Sequence, residues 1–567
     1  MKKGLLGLII VVVAILLVSS FGSGSSQSFL IHNARLITMN PQQPLADAML
    51  IQDGRIVAVG DVETLESQFD VDLERVDMQG RTLVPGFIDA HGHFPGSGLT
   101  ELVVDLNSPP IGRIESIAQL QAVLGQRLET MEGEDWLVGM GYDDSLLLEG
   151  RHPHRNELDA VSSERPIFIM HVSGHMGVVN SAALEQLGID TSTPDPEGGH
   201  IEKDANGELT GLLEESAANP AQMAAMDFGV MDFLQMARFA SEQYVSRGVT
   251  LAQSGGVDGR MATGLSWMRR LGQIKPRLEL WPMSETLGQA LLNDEADVDQ
   301  FQASGVNVGP IKFITDGSIQ GFTGFLSHPY HTPFKGDDDY RGYARIPHEP
   351  LRQDMLAFHK QGYQLALHGN GDAAIDSIIE AWVWVQSQFY REDARPIIIH
   401  AQMARPDQLA RMAELGMTPS FFSAHTFYWG DRHRDIFMGP ERAAGMSPAA
   451  SAAELGLRFT IHCDTPVVPM DPLFLAWTAV NRRTSGGQLI GPDERISVEQ
   501  ALRAITIDAA WQIGREQDLG SLEAGKMADF VVLGQNPLAV DPARLHEVPV
   551  LATWIGGEAV YRRAKQP

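Results

Sequence analysis

Cysteine is nearly missing from this chain: Cys463 stands alone among 567 residues. That excludes an internal disulfide and any zinc site built from clustered cysteines. Positive charge is also scarce, with 43 Lys and Arg against 72 Asp and Glu and a net charge of −29. Such a surface repels phosphate backbones, so nucleic acid is excluded as a partner. After the first thirty or so residues there is no long apolar run, which rules out a multi-span membrane protein. Short internal repeats and low-complexity stretches are absent as well. What remains is ordinary globular material: 44% hydrophobic, 20% charged and 7% aromatic. The length suits roughly two to four domains, or one large domain with an appendage.

The chain opens with Lys2 and Lys3, the uncharged run Gly4–Val18 and the small polar stretch Ser19–Ser28. A positive start, an apolar segment and small residues after it form an export signal. Residues 1–28 are therefore expected to be a signal peptide or an N-terminal membrane anchor, placing the protein in the periplasm, outside the cell or on the membrane. No cysteine follows the apolar run, which excludes a lipoprotein anchor.

Phe29–Met39 and Ala48–Gly60 read as strands, the second turning at Asp53–Gly54. Ala528–Leu533 and Val550–Tyr561 have the same character, with a turn at Gly556–Gly557. The expectation is a small β-sandwich built from both chain ends, residues 29–84 and 520–567. Between them, apolar runs such as Pro166–Met170, Ile311–Ile314, Gln364–Leu367, Pro396–Ile399 and Leu457–Ile461 alternate with helical patterns. Those patterns include Asp232–Ser246, Glu349–Gln361, Ala373–Tyr390 and Pro406–Leu415. Strand–helix alternation over this length predicts an α/β fold, a (β/α)₈ TIM-like barrel over residues 85–519, with an insertion at about 99–227.

The polar residues that matter end these apolar runs. LVPGFIDAHGH closes on His91 and His93, and side chains two apart on a strand share a side, so both imidazoles can face one ion. Lys312, one of nine lysines, lies inside GPIKFITDGS. His368 ends QLALH, His400 ends PIIIH, and Asp464 follows RFTIHC. Each residue taken singly fits a structural role at a strand end. In a parallel barrel, however, all strand C-termini open on one face, so the set converges there.

This ordered set, HGH, an internal lysine, H-x-x-GD-x-A, HAQ and D-T-P-V, resembles the amidohydrolase superfamily, specifically its amidohydrolase-3 branch. RTLVPGFIDAHGH, GHMGVVNSAAL, TPDPEGGHI, ALRAITIDAA and GSLEAGKMADFVVL extend the resemblance from Phe29 to the C-terminus. SAHTFYWGDRH and the D-T-P-V-x-P region also resemble relatives that regulate exoenzyme production.

The resemblance implies one metal on His91 and His93, contacted by Asp464, and a second on His368 and His400. Lys312 would bridge them as a carboxylated lysine. One or two divalent ions, zinc by choice of ligands, would activate a water to attack a carbonyl, with Asp464 as general base and then acid. The implied activity is hydrolysis of a non-peptide C–N amide bond in a small molecule. Ester or lactone hydrolysis at the same centre, or a non-catalytic regulatory protein on the same fold, are the alternatives, and a homodimer is left open.

Two departures qualify the likeness. Cys463 stands where the branch commonly has serine, and its expected role is that of a small buried residue rather than a ligand. DGSIQGFTG replaces DGS-x-x-S-R-T-A, so the branch's arginine is missing. His175, Asp316, His425 and Trp429 are candidate substrate contacts. Asn180, Asp431 and His433, in the same two motifs, are further candidate contacts, with capping for Asn180 and loop packing for Asp431 and His433 as the alternative roles, and His152 and His154 are set aside as residues of a polar loop.

Overall fold

The computed structural model describes residues 28–69, 74–133 and 135–564, so the expected leader lies outside the described residues. Two parallel sheets form the centre. One has the order Val306–Val308, Arg277–Pro282, Val249–Val257, Phe87–Ile88; the other runs Ile311–Ile314, Leu365–Gly369, Ile397–His400, Thr418–Phe421, Thr460–Ile461. The sheets meet at a parallel bridge between Met283 and Lys312. At the opposite edge the Asp464 N–H donates to the His91 carbonyl at 3.3 Å, and the His93 N–H donates to Thr465 at 2.8 Å.

Side-chain alternation explains why the sheets face each other. Phe313, Leu367, Ile398 and Phe421 point one way and pack against helix residues Phe358, Ile378 and Trp382. The intervening Ala366, Ile397 and Ile399 point the other way, into a cluster with Ile88, Leu251 and Trp281 of the first sheet. A period of two thus sorts each strand into a helix-facing and an interior set.

The helices begin where their sequences allow. Asp258 caps Gly259–Arg270 by accepting the Met261 N–H, and Asp471 caps Pro472–Asn481 by accepting that of Phe474. The observed Val230–Ser246, His348–Lys360, Asp372–Gln388 and Pro406–Glu414 lie within two residues of the four sequence-derived helices.

Both chain ends form sheets. Ser28–His32 and Arg35–Ile37 are separate strands, broken where Asn33 takes φ +51°, rather than one continuous run. The hairpins turn as expected, with positive φ at Asp53 and Gly54 and at Gly556 and Gly557. Thr82–Pro85 pairs antiparallel with Phe530–Leu533, which joins N- and C-terminal segments in one six-stranded sheet. The neighbouring four-stranded sheet shares an apolar cluster with it, including Phe29, Ile31, Leu83, Phe530 and Trp554.

The Leu99–Asp227 stretch carries a mixed six-stranded sheet of its own. Ile167–His171, grouped by sequence with the central strands, belongs to this sheet instead. Its apolar run is as long as theirs, so length alone could not separate the two. Among the described residues no helix is long and apolar enough to cross a membrane.

Candidate metal centre

The interior set ends in polar residues. Lys312 shares register with Ala366 across the pair Ile311–Ile314 and Leu365–Gly369, so it faces inward. His368, two beyond Ala366, does the same. His400 would point outward with Ile398, but its backbone is left-handed at φ +71° and the ring lies 4.5 Å from that of His368, edge to face. Asp464 also takes a left-handed φ of +53°.

Asp464 is the hub. Its Oδ1 lies 3.4 Å from His91 Nε2 and 3.2 Å from His93 Nε2, and its Oδ2 is 4.0 Å from His400 Nε2. Lys312 Nζ lies 3.2 Å from His91 Nε2. His91, Lys312, His368, His400 and Asp464 are buried, whereas the His93 side chain is 43% exposed. All six line one cavity of about 1370 Å³.

Electrostatics prepare these groups for a cation. Burial first, then nearby Lys312 and His93, holds the His91 imidazole well below its usual range. His368 is lowered by burial and His175, and His400 by burial and His368. Neutral imidazoles keep the lone pair that a metal needs. Burial lowers the Lys312 amine to about 7 against the pull of Asp464. For Asp464 burial pushes upward, yet the His93 hydrogen bond and charge with its neighbours outweigh it, leaving the carboxyl at about 2. Asp464 Oδ1 is buried with the Nε2 atoms of His91 and His93 turned toward it, and a carboxylate facing two imidazoles is a donor set that fits a divalent ion.

The surrounding shell orients this set. His400 Nδ1 lies 3.1 Å from His462 Nε2, and His462 Nδ1 lies 2.8 Å from Ser420 Oγ. His462 was absent from the sequence-derived set; it reads as a core residue of RFTIHC. Its spacing of two from Asp464, the spacing of His91 and His93, was the available signal. Asp316 sits behind His368, off the cavity wall, with Oδ1 3.2 Å from His368 Nδ1. It also accepts the N–H groups of Asn370, Gly371 and Phe325 at 3.0, 2.8 and 3.0 Å. This placement makes Asp316 a positioning residue rather than a wall residue.

His175 does line the cavity, its ring centroid 5.1 Å from that of His368, and its Nδ1 meets Glu215 Oε2 at 2.9 Å. Arg345 binds the same Glu215 oxygen at 3.3 Å and also lines the cavity. It brings a guanidinium to the cavity from a loop the sequence did not flag. His425 and Trp429 are buried away from this cavity. His425 Nδ1 lies 3.1 Å from His433 Nε2, and the Trp429 indole donates to Asp143 at 2.8 Å. Asn180 caps the helix Ser181–Leu187 by accepting the Ala183 N–H at 3.0 Å. Cys463 contacts Thr465 and Met470 and no ligand candidate.

A second group, Asp143, Asp144 and His171, also clusters. Its atoms are largely occupied: His171 meets Asp144 at 3.1 Å and Ser173 Oγ at 2.8 Å, and Asp143 takes the Trp429 indole.

Comparison with known proteins finds relatives along nearly the whole chain. The chain is 30% identical to N-substituted formamide deformylase of Arthrobacter pascens over 95% of its length and 99% of that protein's. It is 27% identical to the putative amidohydrolase YtcJ of Bacillus subtilis, over 94% and 99%. A crystal structure of an uncharacterized metal-dependent hydrolase from Pyrococcus horikoshii shares the fold at TM-score 0.73 and 24% identity, covering 91% of this chain and 99% of that one. The Amidohydrolase family model matches residues 74–561, and the chain belongs to that family of metal-dependent hydrolases.

Proposed function

We propose that this protein is an exported hydrolase that cleaves a non-peptide C–N bond, an N-formyl or N-acyl amide of a small molecule. The observation that carries this is the Asp464 carboxylate set between His91, His93 and His400 at the wall of a large cavity. Export is supported by the leader-like residues 1–28. The amide preference is supported by the likeness to a deformylase of N-substituted formamides.

In this reading the two parallel sheets are the halves of one (β/α)₈ barrel over residues 85–519, and the end sheets form a composite sandwich beside it. His91, His93, His368, His400 and Asp464 would hold one or two divalent ions, zinc by choice of ligands, with Lys312 contributing an oxygen as its carbamate. A divalent ion held there would supply Lewis-acid chemistry, lowering the pKa of a water and polarising the amide carbonyl. Asp464 accepts the proton of the attacking water and delivers it to the leaving nitrogen, which departs as a neutral amine. Carbamate formation needs the free amine of Lys312, and its burial beside imidazoles, with Nζ 3.2 Å from His91, favours that form. His175, held by Glu215, lies beside the reacting carbonyl as a substrate contact. Asp316 and His462 keep the ligand rings in place.

Asp464→Asn tests this role. The variant is expected to fold and retain most of its metal while turnover of N-formyl and N-acyl amides drops by about 100-fold or more. Near-wild-type turnover, or full activity after exhaustive chelation, refutes the mechanism.

A further inference from the structure

The cavity at the metal centre is larger than a simple amide needs. Pockets for small ligands usually occupy about 300–1,000 Å³, and this one encloses about 1370 Å³. Its outer part differs in chemistry from the histidine-lined end. Leu99, Met140 and Met236 form a small apolar cluster separate from the main core, with Met170, Phe228 and Phe233 packed against it. All six line the cavity. The wall is therefore apolar by construction, between the inserted sheet and the helix Val230–Ser246. Methionines dominate it, and their unbranched side chains adapt to a flexible guest.

The same cavity reaches solvent between the helices Asn219–Ala225, Val230–Ser246 and Gly259–Arg270. Large apolar residues stand open there: Met223 is 77% exposed, Val230 82%, Trp267 54% and Leu271 50%. The charged residues that border the cavity on this side, Asp227, Arg238, Asp258, Arg260 and Glu285, lie exposed at its outer edge. An apolar rim of this size is costly to leave in water unless something covers it. Its continuity with the metal centre names the occupant, because whatever reaches Asp464 by this route passes the methionine wall.

We infer that the channel binds a long unbranched alkyl chain carried by the substrate, so that the preferred substrates are amides bearing an aliphatic tail of about six carbons or more. This rests on the hydrolytic reading for its reactive end, but the channel itself does not depend on catalysis. The amide lies at His91, His93 and Asp464. The tail runs past Met140 and Met236 and leaves beside Met223 and Trp267.

The test uses the full-length, metal-loaded protein and formamides of n-alkylamines from one to twelve carbons. Calorimetric binding and turnover are measured on the same series. Each methylene taken from water into the channel is expected to tighten binding about fourfold over the first six or more carbons, with kcat/KM rising in parallel. Met223→Asp and Trp267→Asp, both at exposed positions, are expected to lower the decyl-to-methyl affinity ratio about tenfold. Binding that is flat with chain length overturns the inference, as does a steep dependence that neither variant alters. Binding that rises with chain length without any turnover leaves the channel standing and removes the proposed amide hydrolysis instead.

Discussion

His462 makes the sharpest test of how the centre is built. It does not line the cavity of the metal centre, and it meets His400 at 3.1 Å, backed by Ser420 at 2.8 Å. Replacing it with leucine nearly conserves volume, and Ser420 still accepts the Thr460 hydroxyl at 2.7 Å. Leucine also fills the apolar space that the His462 ring shares with His91 and Phe422, so the polar loss falls mainly on the nitrogen that faces His400. A buried imidazole nitrogen facing a methyl group costs about 1–3 kcal/mol. That matches the 10- to 100-fold, or about 1.4–2.7 kcal/mol, typical of losing a group that orients a metal ligand. His462→Leu is accordingly expected to weaken zinc affinity about 10- to 100-fold, measured by competition with a chromophoric chelator. His462→Gln, which keeps a polar group toward His400, is expected to recover part of the loss. The melting temperature of each metal-free variant separates misfolding from misorientation. A leucine variant with wild-type zinc affinity refutes the argument, and so does an equal loss in both variants.

Two further outcomes follow from packing and charge. At Gly255 an added Cβ would sit 2.2 Å from His91 Cε1 and 2.9 Å from the Gly92 carbonyl, so Gly255→Ala is expected to cut metal content and turnover about tenfold or more. Gly125→Ala, in the helix Ile117–Thr130 with nothing within 4 Å, is expected to raise the melting temperature and leave turnover alone; equal behaviour of the two variants refutes the packing account. Glu279 is buried, and burial raises its carboxyl from 4.5 to about 7 against Arg515 and Asn307. The native state then binds its proton more tightly than the unfolded state does, so its contribution is fully favourable below pH 4.5 and is lost as pH climbs to 7, by about 3 kcal/mol at most. Glu279→Gln is expected to gain stability relative to wild type between pH 5 and pH 8 in urea titrations, and a pH-independent difference contradicts it.

Much of the centre could be read from sequence because a strand presents alternate residues to one side and parallel strands end together. His91, His93, His368 and Asp464 each close an apolar run, Lys312 lies inside one, and the structure gathers all five around one cavity. His400 was found by the same logic, although alternation alone sends it outward and a left-handed backbone turns it in. The supporting groups were less visible. Asp316 acts through backbone N–H groups of residues more than fifty positions on, apart from Phe325, and no residue pattern records such a cradle. Arg345 reaches Glu215 from an irregular loop, and its place depends on tertiary contacts with an inserted sheet. That sheet itself escaped notice because its strands have the same length and composition as the central ones.

The strand Thr82–Pro85 leads directly into Phe87–Ile88 and on to His91 and His93, and its antiparallel neighbour is Phe530–Leu533. The first two imidazoles are therefore anchored by residues made some 440 positions later. During synthesis the pair emerges early, braced by Arg35–Ile37 and later by Val249–Val257, but the second edge of Thr82–Pro85 stays open until nearly the whole polypeptide exists. A product cut short before Phe530 would leave that edge open just ahead of the first two candidate ligands, with only the earlier strands to brace them.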